Sequence, residues 1–341
     1  MSLGSKIIRT ILSKECDMTK QILFITSTRI GDAVLSTGVL NHLVSTYDDF
    51  EVTVVCGPLC TSLFEGYPNL KEIVALKKEK HHKHWFKLWR KVFTTRWFMV
   101  VDLRDSFVSR AIWAKLRYTG TRRLDKGAHK VVQAAQLIGQ YADNNAPAPK
   151  LWFTAAQLDK VKSLIGEDRR PILAVGPTAN WIGKTWPRES FIKLLHRLVL
   201  DENAPLQGHR IAILAAPGEE ADAQYILNEL PENIGMDIIA KTSPGEAAAF
   251  LSKSACYIGN DSGLMHCAAA CGVKTFGLFG PSWPHLYSPW GAHSAHIATA
   301  QNFDELVDFE GYDPKTLDHS LMTSLTVDTV YDAVASFVKS E

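Results

Sequence analysis

The chain has 341 residues, a net charge of +1, 46% hydrophobic and 21% charged residues, which suits a soluble globular protein and is too long for a single core. No run of about 18 apolar residues occurs, which excludes a spanning helix. The N-terminal apolar positions Ile7, Ile8, Ile11 and Leu12 are interrupted by Arg9, with no small-residue cleavage site after them, so no secretory signal is expected and the chain is placed in the cytoplasm.

Short apolar runs at 21–26, 51–56, 72–75 and 98–102 alternate with longer segments of helical period, the pattern of a parallel sheet covered on both faces. The pattern fades at 143–150 (DNNAPAPK), a boundary or loop, and a helix is expected over 155–165. The scheme then repeats, with strands expected at 172–176, 210–215, 238–240, 256–259 and 275–279. Helices are expected to begin near Pro187, Glu219, Pro244 and Gly263, both prolines lying in a first turn where they cost no hydrogen bond. A last amphipathic helix is expected over 326–338. The fold class that follows is α/β, with two doubly wound, Rossmann-like domains facing a central cleft. Their expected extents are 1–165 and 166–341, with the last helix packing back on the first domain.

The cysteines Cys16, Cys56, Cys60, Cys256, Cys267 and Cys271 have neither CxxC nor common zinc spacings, so buried, reduced thiols are expected and no metal site. Charge is uneven. Residues 77–130 hold 16 Lys and Arg against 4 Asp and Glu, while the remainder is net acidic. Within this region 77–97 interleaves cations with Trp85, Phe86, Trp89, Phe93 and Trp97, several of them sharing a helical face. A core stripe with a solvated basic back is one reading. A surface for anionic lipid or a phosphorylated glycolipid is the preferred one. Nucleic acid is set aside because no recognised nucleic-acid module accompanies the segment.

Three motifs fall at strand ends, where open parallel sheets bind ligands. STRIGDAVLSTGVL follows the first strand, with Gly31 allowing a tight turn. Asp32 is there either a helix cap or a carboxylate kept ionised by the helix start, able to act as general base. GPTANWIGKTWP offers Thr178 and Lys184 in a polar loop ahead of a helix, suited to phosphate although not a P-loop; alone, Lys184 could be merely solvated. In YIGNDSGLMHCAAACG, Asp261, Ser262 and Gly263 turn into a helix whose free amides and dipole favour a diphosphate. One turn on, His266 either faces the same ligand or is a satisfied buried histidine. In APGEEAD, Glu219 and Glu220 open a helix, as a cap or as ribose ligands.

In order and approximate spacing, RIGDAVLST, the K-x-W-P of 184–187, GNDSGLMHxAAA and the FGP of 279–281 resemble glycosyltransferase family 9, the bacterial ADP-heptose:lipopolysaccharide heptosyltransferases, through most of the chain. The resemblance implies a GT-B fold, an ADP-sugar donor in the second domain, an acceptor in the first, inversion at the anomeric carbon and no cofactor. Carried over by position, it implies Asp32 as catalytic base and Lys184 at the donor phosphate. It further implies Thr178, Asp261, Ser262, Gly263 and His266 as donor contacts, and Glu220 at the ribose with Glu219 as the alternative register. The family more often has threonine at 262, and proline where this chain has Gly38, a change expected to affect local rigidity. No DxD triplet occurs, in keeping with transfer without a divalent metal. Arg29, Arg104 and Arg110 are candidates for the acceptor side. The implied partners are a nucleotide-sugar donor and an anionic glycolipid at the cytoplasmic face of the inner membrane. Open alternatives are transfer of another sugar and a silent glycan- or lipid-binding scaffold. A dinucleotide oxidoreductase is disfavoured because no G-x-G-x-x-G follows either first strand.

Overall fold

The computed structural model describes residues 19–121, 124–139, 141–143 and 145–340. The apolar N-terminal positions and Cys16 lie outside them. Apolar runs become strands where both faces are covered. β1 (Lys20–Ile25), β2 (Phe50–Cys56), β3 (Leu70–Ala75), β4 (Trp97–Asp102) and β5 (Ala114–Tyr118) form a parallel sheet in the order β3-β2-β1-β4-β5. Helices α1 (Ile30–Thr46), α2 (Lys83–Val92) and α3 (Lys130–Gln136) belong to this unit, and α4 (Ala155–Ile165) leads to the next. The second sheet, β11-β10-β9-β6-β7-β8, is also parallel: β6 (Ile172–Gly176), β7 (Arg210–Ile213), β8 (Gly235–Asp237), β9 (Cys256–Asn260), β10 (Lys274–Phe279) and β11 (Ser294–Ala298). Its helices are α5 (Arg188–Leu195), α6 (Glu220–Asn228), α7 (Pro244–Leu251), α8 (Gly263–Ala270), α9 (Pro284–Tyr287), α10 (Phe303–Val307) and α11 (Val327–Lys339).

Several expectations are corrected. The strand expected at 238–240 is β8, three residues earlier, because Ile238 and Ile239 fill the core after the ladder ends. The edge strands β5 and β11 were not foreseen. Pro187 caps α5 from outside, whereas Pro244 occupies the first turn of α7 behind a Ser243–Glu246 capping box. The last helix, α11, packs on the second unit, not the first: Val330 and Val334 are buried with Phe191, Leu194 and Leu198. Gly38 is a packing requirement, since a Cβ there would lie 2.1 Å from the Pro147 carbonyl oxygen.

One face of the first sheet (Leu23, Ile25, Val55, Val100) is covered by Leu88 and Val92 of α2. The other (Ile22, Phe24, Val52, Val54) shares a continuous apolar cluster with the second unit, reaching Ala247–Leu251, Met265 and Cys267. Each fully buried side chain of this size contributes about 1.5–3 kcal/mol, so this shared cluster sets how the carboxyl ends of the two sheets meet. Cys56, Cys60, Cys256 and Cys267 are buried, and burial raises the Cys56 thiol to about 12 and Cys60 to about 11.

Candidate active site

Residues brought together from both units form the site. β1 ends at Ile25, and the chain turns through Ser27 and Arg29 into α1, placing Asp32 in its first turn. Ser27 Oγ lies 3.4 Å from Asp32 Oδ2, a long contact that leaves this half-buried carboxylate mostly uncommitted. The α1 start meets the α8 start directly. A Cβ on Gly31 would lie 2.9 Å from His266 Cδ2, and one on Gly263 would lie 2.7 Å from Ile30 Cγ2. Two helix N-termini thus converge, each with unpaired amides and a favourable dipole for anions.

The second unit supplies the polar floor. Asn260, the last residue of β9, clamps the loop after β6 at both ends: its Nδ2 donates to Pro177 O (2.7 Å) and its Oδ1 accepts from Trp186 N (3.1 Å). Trp186 is buried, with Nε1 donating to Leu325 O at 2.8 Å. Between these anchors a 3-10 turn, Ile182–Lys184, carries Lys184, whose Nζ donates to the buried Asp261 Oδ2 at 2.6 Å. An ammonium has three donors, so this bond leaves two. Asp261 Oδ1 faces His266 Nε2 at 3.9 Å. Burial is the main cause that lowers the His266 pKa to about 4; Asp261 works against it and His129 and Lys184 reinforce it, so the imidazole is neutral at pH 7. Ser262 is the α8 cap, yet its side chain makes no cap bond, and the first amides of α8 stay open.

Trp181 Nε1, His266 Nδ1 and Ser282 Oγ are buried without a hydrogen-bond partner in the protein. Such groups cost roughly 1–3 kcal/mol each when unpaired. They lie in the loops and the helix that follow β6, β9 and β10.

Of the sequence candidates, Glu220 and Arg110 are turned to local partners instead. Thr178 Oγ1 donates to Glu219 Oε2 at 2.6 Å, so Glu219 is the glutamate turned toward the β6 loop. Glu220 is directed back to its own turn, accepting from Gly218 N at 2.9 Å, which lowers its pKa. Arg110 is engaged by Asp105 and by the carbonyls of Asp105 and Ser106. Arg104 lies over the Trp85 ring, 6.0 Å from its centroid, and Arg29 is exposed at the α1 start. The Asn260 clamp carries no signal in the sequence beyond the residue's place in the motif. Tyr287 is a further residue near the cluster, its hydroxyl pKa raised by burial and then by both Asp32 and Asp261. A tyrosine in the run WPHLYSPW carries no spacing that would single it out.

The family model described as Glycosyltransferase family 9 (heptosyltransferase) matches residues 109–312, more than half of the chain. The chain belongs to glycosyltransferase family 9. This member of the family is 31% identical over 140 residues to a lipooligosaccharide heptosyltransferase 2 of Haemophilus influenzae, covering 40% of this chain and 38% of that protein. It is 23% identical over 310 residues to a lipopolysaccharide heptosyltransferase 2 of Salmonella typhimurium, covering 81% and 87%. In three dimensions it resembles the structure of Escherichia coli ADP-heptose LPS heptosyltransferase II, with a TM-score of 0.71 and 19% identity over 93% and 98% of the two chains. The fold is the GT-B arrangement, and the family member is a glycosyltransferase. Among the described residues, no helix is long and apolar enough to cross a membrane, and no three His, Cys, Asp or Glu residues group as a metal cage.

Proposed function

We propose that this enzyme transfers heptose from ADP-heptose, with inversion and without a divalent metal, to an anionic glycolipid of the lipopolysaccharide core at the cytoplasmic face of the inner membrane. The observation that carries the reading is the convergence of an uncommitted Asp32 with the Lys184–Asp261–His266 cluster, through the contact of α1 with α8. The donor and acceptor are supported by the likeness to a lipopolysaccharide heptosyltransferase 2 and to the structure of an ADP-heptose LPS heptosyltransferase II.

In the proposed reaction, Asp32 accepts the proton of the acceptor hydroxyl as its oxygen bonds to the anomeric carbon. The bond from that carbon to the diphosphate breaks on the opposite face. Charge develops on the departing ADP, which the two remaining Lys184 donors and the amides of Ser262 and Gly263 stabilise, a role often worth about 3 kcal/mol per donor. Asp261 holds the lysine in place, and Thr178 with Glu219 takes the ribose hydroxyls. Arg29 and Arg104 face the acceptor side.

Transfer assays beside ADP calorimetry test this, using synthetic ADP-heptose. Asp32→Ala is expected to lower kcat by about 10²–10⁴-fold while ADP affinity holds. Lys184→Ala and Glu219→Ala are expected to weaken ADP, and EDTA to change nothing. Full transfer by Asp32→Ala would sink the mechanism; preference for UDP or GDP over ADP would keep the fold and overturn the donor.

A further inference from the structure

The segment after β3 does more than cover the sheet. α2 presents three different stripes, as a period of roughly 100° per residue requires. His84, Leu88 and Val92 face the core and are buried. Phe86, Trp89 and Phe93 lie on the far side, stacked in series: Phe86 to Trp89 has a centroid distance of 5.6 Å and Trp89 to Phe93 one of 4.9 Å, both near parallel. Lys83, Lys87, Arg90 and Lys91 form the third stripe, all exposed, and α2 contains no acidic residue.

The aromatic stripe is held rigid and enlarged. Trp89 Nε1 donates to Ala111 O at 3.0 Å, pinning the stack to the neighbouring segment that carries Phe107 and Trp113. Phe86 is 54%, Phe93 46%, Phe107 48% and Trp113 55% exposed. Single exposed aromatics need no explanation, but a grouped set beside cations does. Lys77, Lys78 and Lys80 precede α2 and Arg96 follows it, all exposed. The acids close by, Glu79 and Glu72, are each taken by one lysine, Lys87 and Lys91.

We infer that the α2 face, with Phe86, Phe93, Phe107 and Trp113 as apolar anchors and Lys83 and Arg90 as cations, docks the enzyme on an anionic lipid bilayer. Aromatic rings settle at the headgroup level, and cations beside them are drawn to acidic headgroups, each adding roughly five-fold in affinity. A bilayer fits better than single-stranded nucleic acid because, along α2, Trp89 has both faces covered by Phe86 and Phe93, which leaves it no platform for a base. The chain leaves β3 at the carboxyl edge of the first sheet, the edge that bears the cleft, and α2 runs back to the amino edge where β4 begins, so the Phe86 end of the docked face is the end nearer the cleft. This deepens the membrane-face reading above and rests on it.

The test is cosedimentation of the full-length protein with vesicles of phosphatidylcholine alone and of phosphatidylcholine mixed with phosphatidylglycerol, with ADP calorimetry in parallel without lipid. Binding at least about tenfold tighter to the mixed vesicles, weakened by high salt, is expected. Phe86→Ala/Phe93→Ala/Trp113→Ala and Lys83→Glu/Arg90→Glu are each expected to lose most of that binding with ADP affinity and circular dichroism unchanged. Equal binding to both vesicles, or no loss in the triple variant, overturns the proposal. So does tighter binding to single-stranded RNA, or a wild-type dimer in ultracentrifugation that the triple variant breaks. ADP binding without vesicle binding removes this surface alone and leaves the transfer reading standing; vesicle binding without ADP binding supports the surface and removes the donor reading.

Discussion

At Gly31 the backbone of one unit touches the imidazole of the other, and the substitution Gly31→Ala asks what that approach is worth. The added methyl, 2.9 Å from His266 Cδ2, forces the ring or α1 to move, an overpacking cost of about 1–3 kcal/mol. The expected result is a kcat lowered by about tenfold or more with a cooperative fold retained, read by transfer assay and thermal unfolding; unchanged kcat would mean that the contact does not position the site. His266 itself gives a pH prediction. Its folded pKa of about 4 lies below its ordinary 6.5, so between these values the unfolded chain binds more protons and stability falls as pH drops from 6.5 toward 4. The loss is on the order of 3 kcal/mol. Burial lowers His129, His209 and His296 in the same direction, so urea unfolding of His266→Gln should show a shallower, not a flat, acid limb. At this scale the candidate cluster was legible where a motif fixes spacing, as for Lys184 beside Asp261 and Asp32 in the first turn of α1. It was not legible where the outcome depends on a turn: adjacent glutamates look alike, yet Glu219 reaches Thr178 and Glu220 does not. Arg110 is a comparable case, because nothing in the sequence shows that the left-handed backbone of Asp105 (φ 51°) brings its carboxylate onto that guanidinium.

Helix α7 joins the two units by its first turn. Ser243 and Glu246 close the capping box, Gly245 N donates to Ser62 Oγ at 2.9 Å, and a Cβ at Gly245 would lie 2.1 Å from Ser62 O. Ser243→Ala removes one cap bond, at a cost of about 1 kcal/mol. Gly245→Ala meets a backbone oxygen that cannot rotate away, so its loss of stability should be the larger by urea denaturation; the reverse order would show that the seam yields easily. Element by element, the sequence was readable where strands are buried on both faces, and at the edge strand β3, whose Ile73, Val74 and Ala75 keep a short apolar run. It failed at β5 (AKLRY) and β11 (SAHIA), whose half-exposed positions break the apolar run as a loop would. An edge strand has one neighbour to satisfy, and its composition is correspondingly permissive.

For the whole molecule, two repeated α/β units and the cleft between them follow from the order of apolar runs and helices. The seam does not, since nothing in a helix's own period says which other helix it meets. The apolar cluster runs unbroken from the first sheet to α7 and α8. Heating should therefore give one calorimetric transition, with the enthalpy per molecule matching that from the slope of the curve; two resolved transitions would refute a shared core. The same continuity bears on inheritance. A donor half and an acceptor half that each owned a complete interior could be exchanged between enzymes like cartridges, each new pairing a new specificity. Here an exchanged half would arrive with part of its interior left behind in the old partner. Specificity is thus freer to drift by changes in the loops around the cleft than by trading whole halves.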